Sequence, residues 1–198
     1  MVILLAHGAG APSSSPWMLG WKKRLATIAP TVSFDYPYMR EGRRAPDPLP
    51  KLVAAHRDEL ARALREHKGP AVLAGKSMGS RVGCHVALED PDVRALVCLG
   101  YPLASPGKRK SIRDEVLLAL KVPILFVQGS RDSLCPLDLL EEVRAKMRAP
   151  HPLHVVDGGD HSLSVSAAKL KASGESQAAS DARVLAAIKQ FLQIHLTD

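Results

Sequence analysis

The 198-residue sequence predicts an α/β fold of three layers, with about six mostly parallel strands and helices on both faces of the sheet. Three observations carry that prediction. Short apolar runs alternate with longer segments of helical period, the rhythm of strand–helix–strand units. The runs are apolar at nearly every position rather than every second one, so both faces of the sheet must be covered. A chain of this length buries roughly 70% of the surface it exposes when unfolded, and its 46% hydrophobic and 24% charged content is globular, so residues 1–198 are read as a single domain.

The elements follow in order. The first strand is 2–6, VILLA; it lacks a basic leader and runs at once into HGAGAPSSS, so neither a signal peptide nor a membrane span is expected. A helix over 17–29 leads to a strand at 31–35. Residues 36–50 contain four prolines and are read as a long loop at the end of the sheet where active sites are built. In the helix 50–67, Leu52, Ala55, Leu60, Ala63 and Leu64 form a stripe that Gly69 stops. Strands at 71–75, 93–99, 122–128 and 153–156 are separated by helices at 77–88 and 136–148. The Ser-, Ala- and Lys-rich stretch 162–181 reads as a connector. The last helix, 181–195, leads a stripe of Val184, Ile188, Leu192 and Leu196 spaced four apart.

The net charge of +7 comes from 27 basic and 20 acidic residues. The basic clusters at 22–24, 40–44 and 108–110 are short, scattered and not interleaved with aromatics, which points to a solvated basic surface rather than a nucleic-acid site. Cys84, Cys98 and Cys135 are odd in number and contain no C-x-x-C pair. That argues against a disulfide framework and against a zinc site, and it makes a reducing cytoplasm the expected location.

The stretch LAGKSMGSR, 73–81, admits two readings. A phosphate-binding Walker loop needs a glycine five positions before Gly75, where Pro70 stands, and 71–74 are strand residues, so no loop exists to wrap a phosphate. A nucleophile elbow, G-x-S-x-G, fits: the strand runs into Gly75, a helix starts after Ser77, and Gly75 and Gly79 leave room for the backbone of a strained turn. Serine needs a histidine to take its proton and a carboxylate to orient that histidine. Asp132, in GSRD after the run 122–128, and His161, in GGDH after 153–156, arrive in the chain order the elbow requires. Singly, the two read equally as a turn residue and an exposed loop histidine. Of the remaining histidines, His56, His67, His85, His151, His154 and His195 are read as structural or exposed. His7 opens HGAG after the first strand, the kind of loop that donates a backbone N–H to an oxyanion; Ala9 and Met78 are the expected donors.

HGAG, GKSMG, GSRD and GGDH together resemble the α/β-hydrolase superfamily over essentially the whole chain. The spacing of FDYPYMREGRRAPDP, GKSMGSR and LFVQGSRD resembles its small lidless branch, which includes the testis-expressed hydrolase-like protein and the hydrolase-like part of a chromatin-associated NSL complex subunit. The resemblance implies a minimal fold without the N-terminal antiparallel strands and without a lid domain in 101–121. It also implies Ser77 as nucleophile, Asp132 as acid and His161 as base, with no cofactor and no metal. A serine esterase or thioesterase acting through an acyl-enzyme is expected. The alternatives are a catalytically silent interaction module and an acyltransferase on the same triad. The substrate pocket is expected around His7, Gly8, Lys76, Tyr36 and Tyr101, with Lys76, Arg40, Arg43 and Arg44 read as surface charge or as a bias toward anionic substrates. The partner is expected to be a small-molecule acyl substrate, not nucleic acid or membrane, with the chain a monomer or homodimer.

Overall fold

Two separate apolar clusters, one on each face of a single sheet, organise the molecule. The computed structural model describes residues 1–105 and 108–196. Its strands and helices run β1 (Val2–Ala6), α1 (Pro16–Leu25), β2 (Thr31–Phe34), α2 (Pro37–Arg40), α3 (Leu49–Glu66), β3 (Ala71–Lys76), α4 (Met78–Ala87), β4 (Val93–Leu99), β5 (Ala104–Ser105), β6 (Lys108–Ile112), α5 (Glu115–Ala119), β7 (Ile124–Gly129), α6 (Leu137–Arg144), β8 (Leu153–Val156), α7 (Ala167–Ser173) and α8 (Gln177–Leu196). The main sheet has the order β2-β1-β3-β4-β7-β8 and every pairing in it is parallel.

Alternate residues of the strands face opposite layers, as the two-residue period dictates. Leu4, Leu73, Cys98 and Phe126 pack with Leu60 of α3, Val82 of α4 and Leu140 of α6. Leu5, Val72, Val97 and Val127 pack with Met18 and Trp21 of α1 and with Val184, Ile188 and Leu192 of α8. Truncating a fully buried leucine such as Leu4 or Leu5 to alanine costs about 2–5 kcal/mol in such a core. That is why these runs carry no polar alternation.

The differences from the sequence expectation lie at helix ends and in connections. Helices α1 and α6 end at Leu25 and Arg144, short of 29 and 148, because the chain tightens into three-residue turns: Thr27 N–H donates to the Arg24 carbonyl and Met147 N–H to that of Arg144. The proline-rich 36–50 segment is not all loop. Pro37 takes the first position of α2, where its missing N–H costs nothing. The stretch 162–181 is likewise not a mere connector. Ser166 caps α7, Gly174 ends it in the left-handed region at φ 67°, and α8 begins at Gln177; the Ala and Lys content is helix-forming. Among the described residues between β4 and β7 there is no helical lid. Strands β5 and β6 form a small antiparallel hairpin and α5 leads back to the sheet. The side chains of the basic cluster 108–110 lie outside the described residues.

Strand β1 sits between β2 and β3, so the connections leaving β1 and β3 diverge to opposite sides of the sheet. In an open parallel sheet that reversal leaves a crevice at the carboxyl ends of the strands, where ligands bind.

Candidate active site

Ser77 occupies the bend between β3 and α4 with φ 50° and ψ −114°, a conformation rare for a residue with a side chain. The strain holds because the neighbouring glycines allow it. A Cβ on Gly75 would stand 2.3 Å from the backbone nitrogen of Ser80, and one on Gly79 would stand 2.5 Å from the carbonyl oxygen of Ala6. Neither contact has a flexible partner that yields, so the turn and its approach to β1 both require glycine. The Ser80 hydroxyl closes the bend by donating to the Gly75 carbonyl.

Two further loops at the same end of the sheet deliver Asp132 and His161. Asp132 lies just past β7 and is 3% exposed. Its Oδ1 accepts from the Leu134 N–H at 2.8 Å, and its Oδ2 accepts from the Gln128 amide and from His161 Nδ1, the latter at 2.6 Å. Gln128 is the buried polar residue closing an apolar strand, and its own oxygen accepts the Tyr101 N–H at 3.1 Å, which fixes the way its amide faces. His161 Nε2 is 2.7 Å from Ser77 Oγ. A carboxylate only accepts, so Nδ1 carries the ring proton and Nε2 is left bare to accept from the serine hydroxyl. The structure thus brings Ser77, His161 and Asp132 into one hydrogen-bonded chain.

The loop bearing His161 is anchored from the opposite side by two residues the sequence did not connect with it. Lys76 Nζ donates to the His161 carbonyl and to Ser162 Oγ, each at 3.1 Å, and stands 4.8 Å from the centre of the Trp17 ring. Trp17 Nε1 donates to the Ser162 carbonyl at 2.9 Å. Burial lowers the Lys76 ammonium pKa, against the pull of Asp160 and Asp132. Lys76 is therefore not a surface bystander but a half-buried clamp. On the same loop Leu163 is forced to φ 61° while its side chain is 1% exposed in the core beneath.

His7 is buried and lies behind the site. Its Nδ1 donates to the Gly8 carbonyl at 2.6 Å and its Nε2 accepts the Tyr36 N–H at 3.1 Å. Both ring nitrogens are thereby committed in the neutral form, and burial, outweighing the Gly8 bond and Asp35, keeps its pKa low. Pinning the Gly8 carbonyl turns the N–H of the same peptide, that of Ala9, the opposite way, because a trans peptide sets the two antiparallel. The Tyr38 hydroxyl fixes the next carbonyl, that of Ala9, at 3.0 Å. Met78 is the first residue of α4, so its N–H has no acceptor within the helix.

Ala9, Ser77 and Met78 share a cleft of about 340 Å³. Its walls come from α3 (Leu49, Leu52), α4 (Arg81, Val82) and the segment around the hairpin (Pro102, Arg113). The pocket side chains expected from sequence are placed differently. Tyr36 and Tyr101 are fully buried, their hydroxyls engaged with His56 Nδ1 at 3.0 Å and with the Arg113 carbonyl at 3.1 Å. Neither they nor His7, Gly8 and Lys76 are among the residues that line the cleft. Arg81, which does line it, had a sequence signal: it is one helical turn beyond Ser77. The Trp17 contact had none. Among the described residues no group of three His, Cys, Asp or Glu side chains is placed to hold a metal ion, and no helix is long and apolar enough to cross a membrane.

Comparison with known proteins agrees with this architecture. A family model described as "Alpha/beta hydrolase domain" matches residues 1–193. Est1E from Butyrivibrio proteoclasticus superposes with a TM-score of 0.72 at 15% identity, covering 100% of this chain and 88% of that one. An alpha-beta serine hydrolase homologue from Coxiella burnetii gives 0.69 at 18%, covering 100% and 85%. A protein of the α/β superfamily from Xanthomonas campestris is 27% identical, covering 96% and 98%, with a TM-score of 0.61.

Proposed function

The chain belongs to the α/β-hydrolase family, and from that premise we propose that it is a serine hydrolase of the carboxylesterase or thioesterase kind, working through an acyl-enzyme. The observation that carries the proposal is the continuous relay Ser77 Oγ–His161 Nε2 at 2.7 Å and His161 Nδ1–Asp132 Oδ2 at 2.6 Å, ending in a buried carboxylate beside an open cleft. Ser77 Oγ attacks the substrate carbonyl as His161 takes its proton. The oxygen that becomes negative faces the N–H groups of Ala9 and Met78, each such donor being worth about 10²- to 10³-fold in rate. His161 passes the proton to the departing alcohol or thiol, then takes one from water, which attacks the acyl-serine and frees the acid. Asp132 holds the ring in the required tautomer and stabilises its charge. The chemistry calls for no cofactor.

Residues 1–198 form a single hydrolase domain in this reading, of the small lidless branch that its loop spacing resembles. Its partner is a small acyl substrate rather than nucleic acid or membrane, the protein acts as a monomer or homodimer, and the free, buried Cys84, Cys98 and Cys135 suit a reducing cytoplasm. The test is turnover of p-nitrophenyl esters of increasing chain length. The wild type is expected to hydrolyse the shorter ones, and Ser77→Ala to lose about 10⁴-fold or more in kcat. A folded wild type that turns over none of them contradicts the proposal and favours a silent interaction module.

A further inference from the structure

The cleft beside Ser77 is apolar except for Asp47, Arg81 and Arg113. Asp47 is already neutralised: Arg43 Nη2 at 2.8 Å, Lys51 Nζ at 3.1 Å and the Tyr38 N–H at 3.1 Å all donate to it. Although desolvation works against its charge, those partners hold its carboxyl below the usual range. Arg113 donates through Nη1 to the Pro102 carbonyl at 3.3 Å, which keeps its stem at the cleft wall. Arg81 differs. It is half-buried, and among the described residues no hydrogen bond or ion pair reaches its guanidinium. A partly desolvated guanidinium without an acceptor is unfavourable unless something else supplies one. Of the other cations expected to face a substrate, three are committed elsewhere, Arg40 to Glu59 and the Asp35 carbonyl, Arg43 to Glu41 and Asp47, and Lys76 to the His161 loop, while Arg44 is exposed and does not line the cleft.

Resting on the hydrolase reading above, we infer that Arg81 is the anchor of a carboxylate-binding subsite, so that the preferred substrates are esters or thioesters carrying a carboxylate a short chain away from the scissile carbonyl. The helix rise of 1.5 Å per residue puts the Arg81 backbone about 6 Å past Ser77 along α4, on the same face. The planar fork of a guanidinium matches a carboxylate in two parallel hydrogen bonds. Leu49, Leu52 and Val82 line the apolar space for the intervening methylenes, within a cleft of about 340 Å³.

Monoethyl glutarate and ethyl valerate differ only in a terminal carboxylate in place of a methyl, and both are followed by acid release in a pH-stat. The wild type is expected to favour the glutarate by about 10- to 100-fold in kcat/KM, the range a charge-assisted hydrogen bond supplies. In Arg81→Leu the ratio of the two kcat/KM values is expected to fall to near one or below, and in Arg81→Lys to recover in part. Because each ratio is taken within one protein, a loss of folded fraction cancels. A wild type that hydrolyses both esters equally, or an Arg81→Leu that keeps the preference, overturns the subsite and leaves the hydrolase reading intact. Labelling of Ser77 by a fluorophosphonate without hydrolysis of either ester does the same. Neither hydrolysis nor labelling overturns both.

Discussion

Replacing Asp132 with asparagine changes a single atom, and the hydrogen bonds around it dictate the outcome. Oδ1 accepts from the Leu134 N–H, and Oδ2 accepts from both the Gln128 amide and His161 Nδ1. Asparagine has one acceptor oxygen for these donors. If its oxygen stays toward Leu134, its NH₂ faces His161, which must then move its proton to Nε2 and present that N–H to Ser77 Oγ, so it can no longer take the serine proton. If the oxygen turns toward His161, the NH₂ opposes the Leu134 N–H. Gln128 cannot flip to relieve the first arrangement, because its oxygen holds the Tyr101 N–H. A buried polar group left unsatisfied costs about 1–3 kcal/mol, and a wrong histidine tautomer costs about 10⁴-fold in kcat. Asp132→Asn is therefore expected to fold, with a lowered urea midpoint, and to lose about 10⁴-fold in kcat on p-nitrophenyl acetate with little change in KM. A folded Asp132→Asn that keeps kcat within about tenfold of wild type refutes this account of the relay.

Other residues give independent tests. Lys76→Met removes both hydrogen bonds that Lys76 gives the His161 loop, leaving the one from Trp17, and retains an unbranched apolar stem against the Trp17 ring; kcat is expected to fall about 10- to 100-fold through misplacement of the imidazole, with KM little changed. An unchanged kcat assigns the clamp to the surface after all. His56 is fully buried, and burial lowers its pKa to about 3 from an unfolded value of 6.5. Its folded pKa is depressed, so the unfolded chain binds the extra proton: this stability is present above pH 6.5 and is lost as pH falls toward about 3, with a slope of about 1.4 kcal/mol per pH unit. His56→Gln, which keeps an acceptor for the Tyr36 hydroxyl, is expected to flatten the decline in urea midpoint between pH 6.5 and 5; an identical decline in both proteins contradicts it.

What was legible in the sequence was local. Ser77, Asp132 and His161 each follow a strand within a few residues, so a strand–turn pattern and chain order locate them without knowledge of the fold. Parallel pairing was legible too, since runs such as 71–74 have no polar face to give to water. The clamp was not, because Trp17 and Ser162 meet across 145 positions and nothing in either segment encodes the other. Tyr36 and Tyr101 stand at strand ends where pocket residues stand, but both are fully buried, their hydroxyls bonded to His56 Nδ1 and to the Arg113 carbonyl, and neither lines the cleft. In 162–181 the Ser and Lys content concealed α7, whose side chains are not buried and so leave no apolar stripe to read.

The central claim is that Ser77 is an activated nucleophile. Treating the folded protein with a fluorophosphonate and measuring intact mass, followed by peptide mapping, addresses it without knowledge of the substrate. One adduct per chain, located on Ser77 and absent from Ser77→Ala, is the result this account predicts. A folded wild type that stays unmodified, or that carries the adduct on another residue, contradicts it.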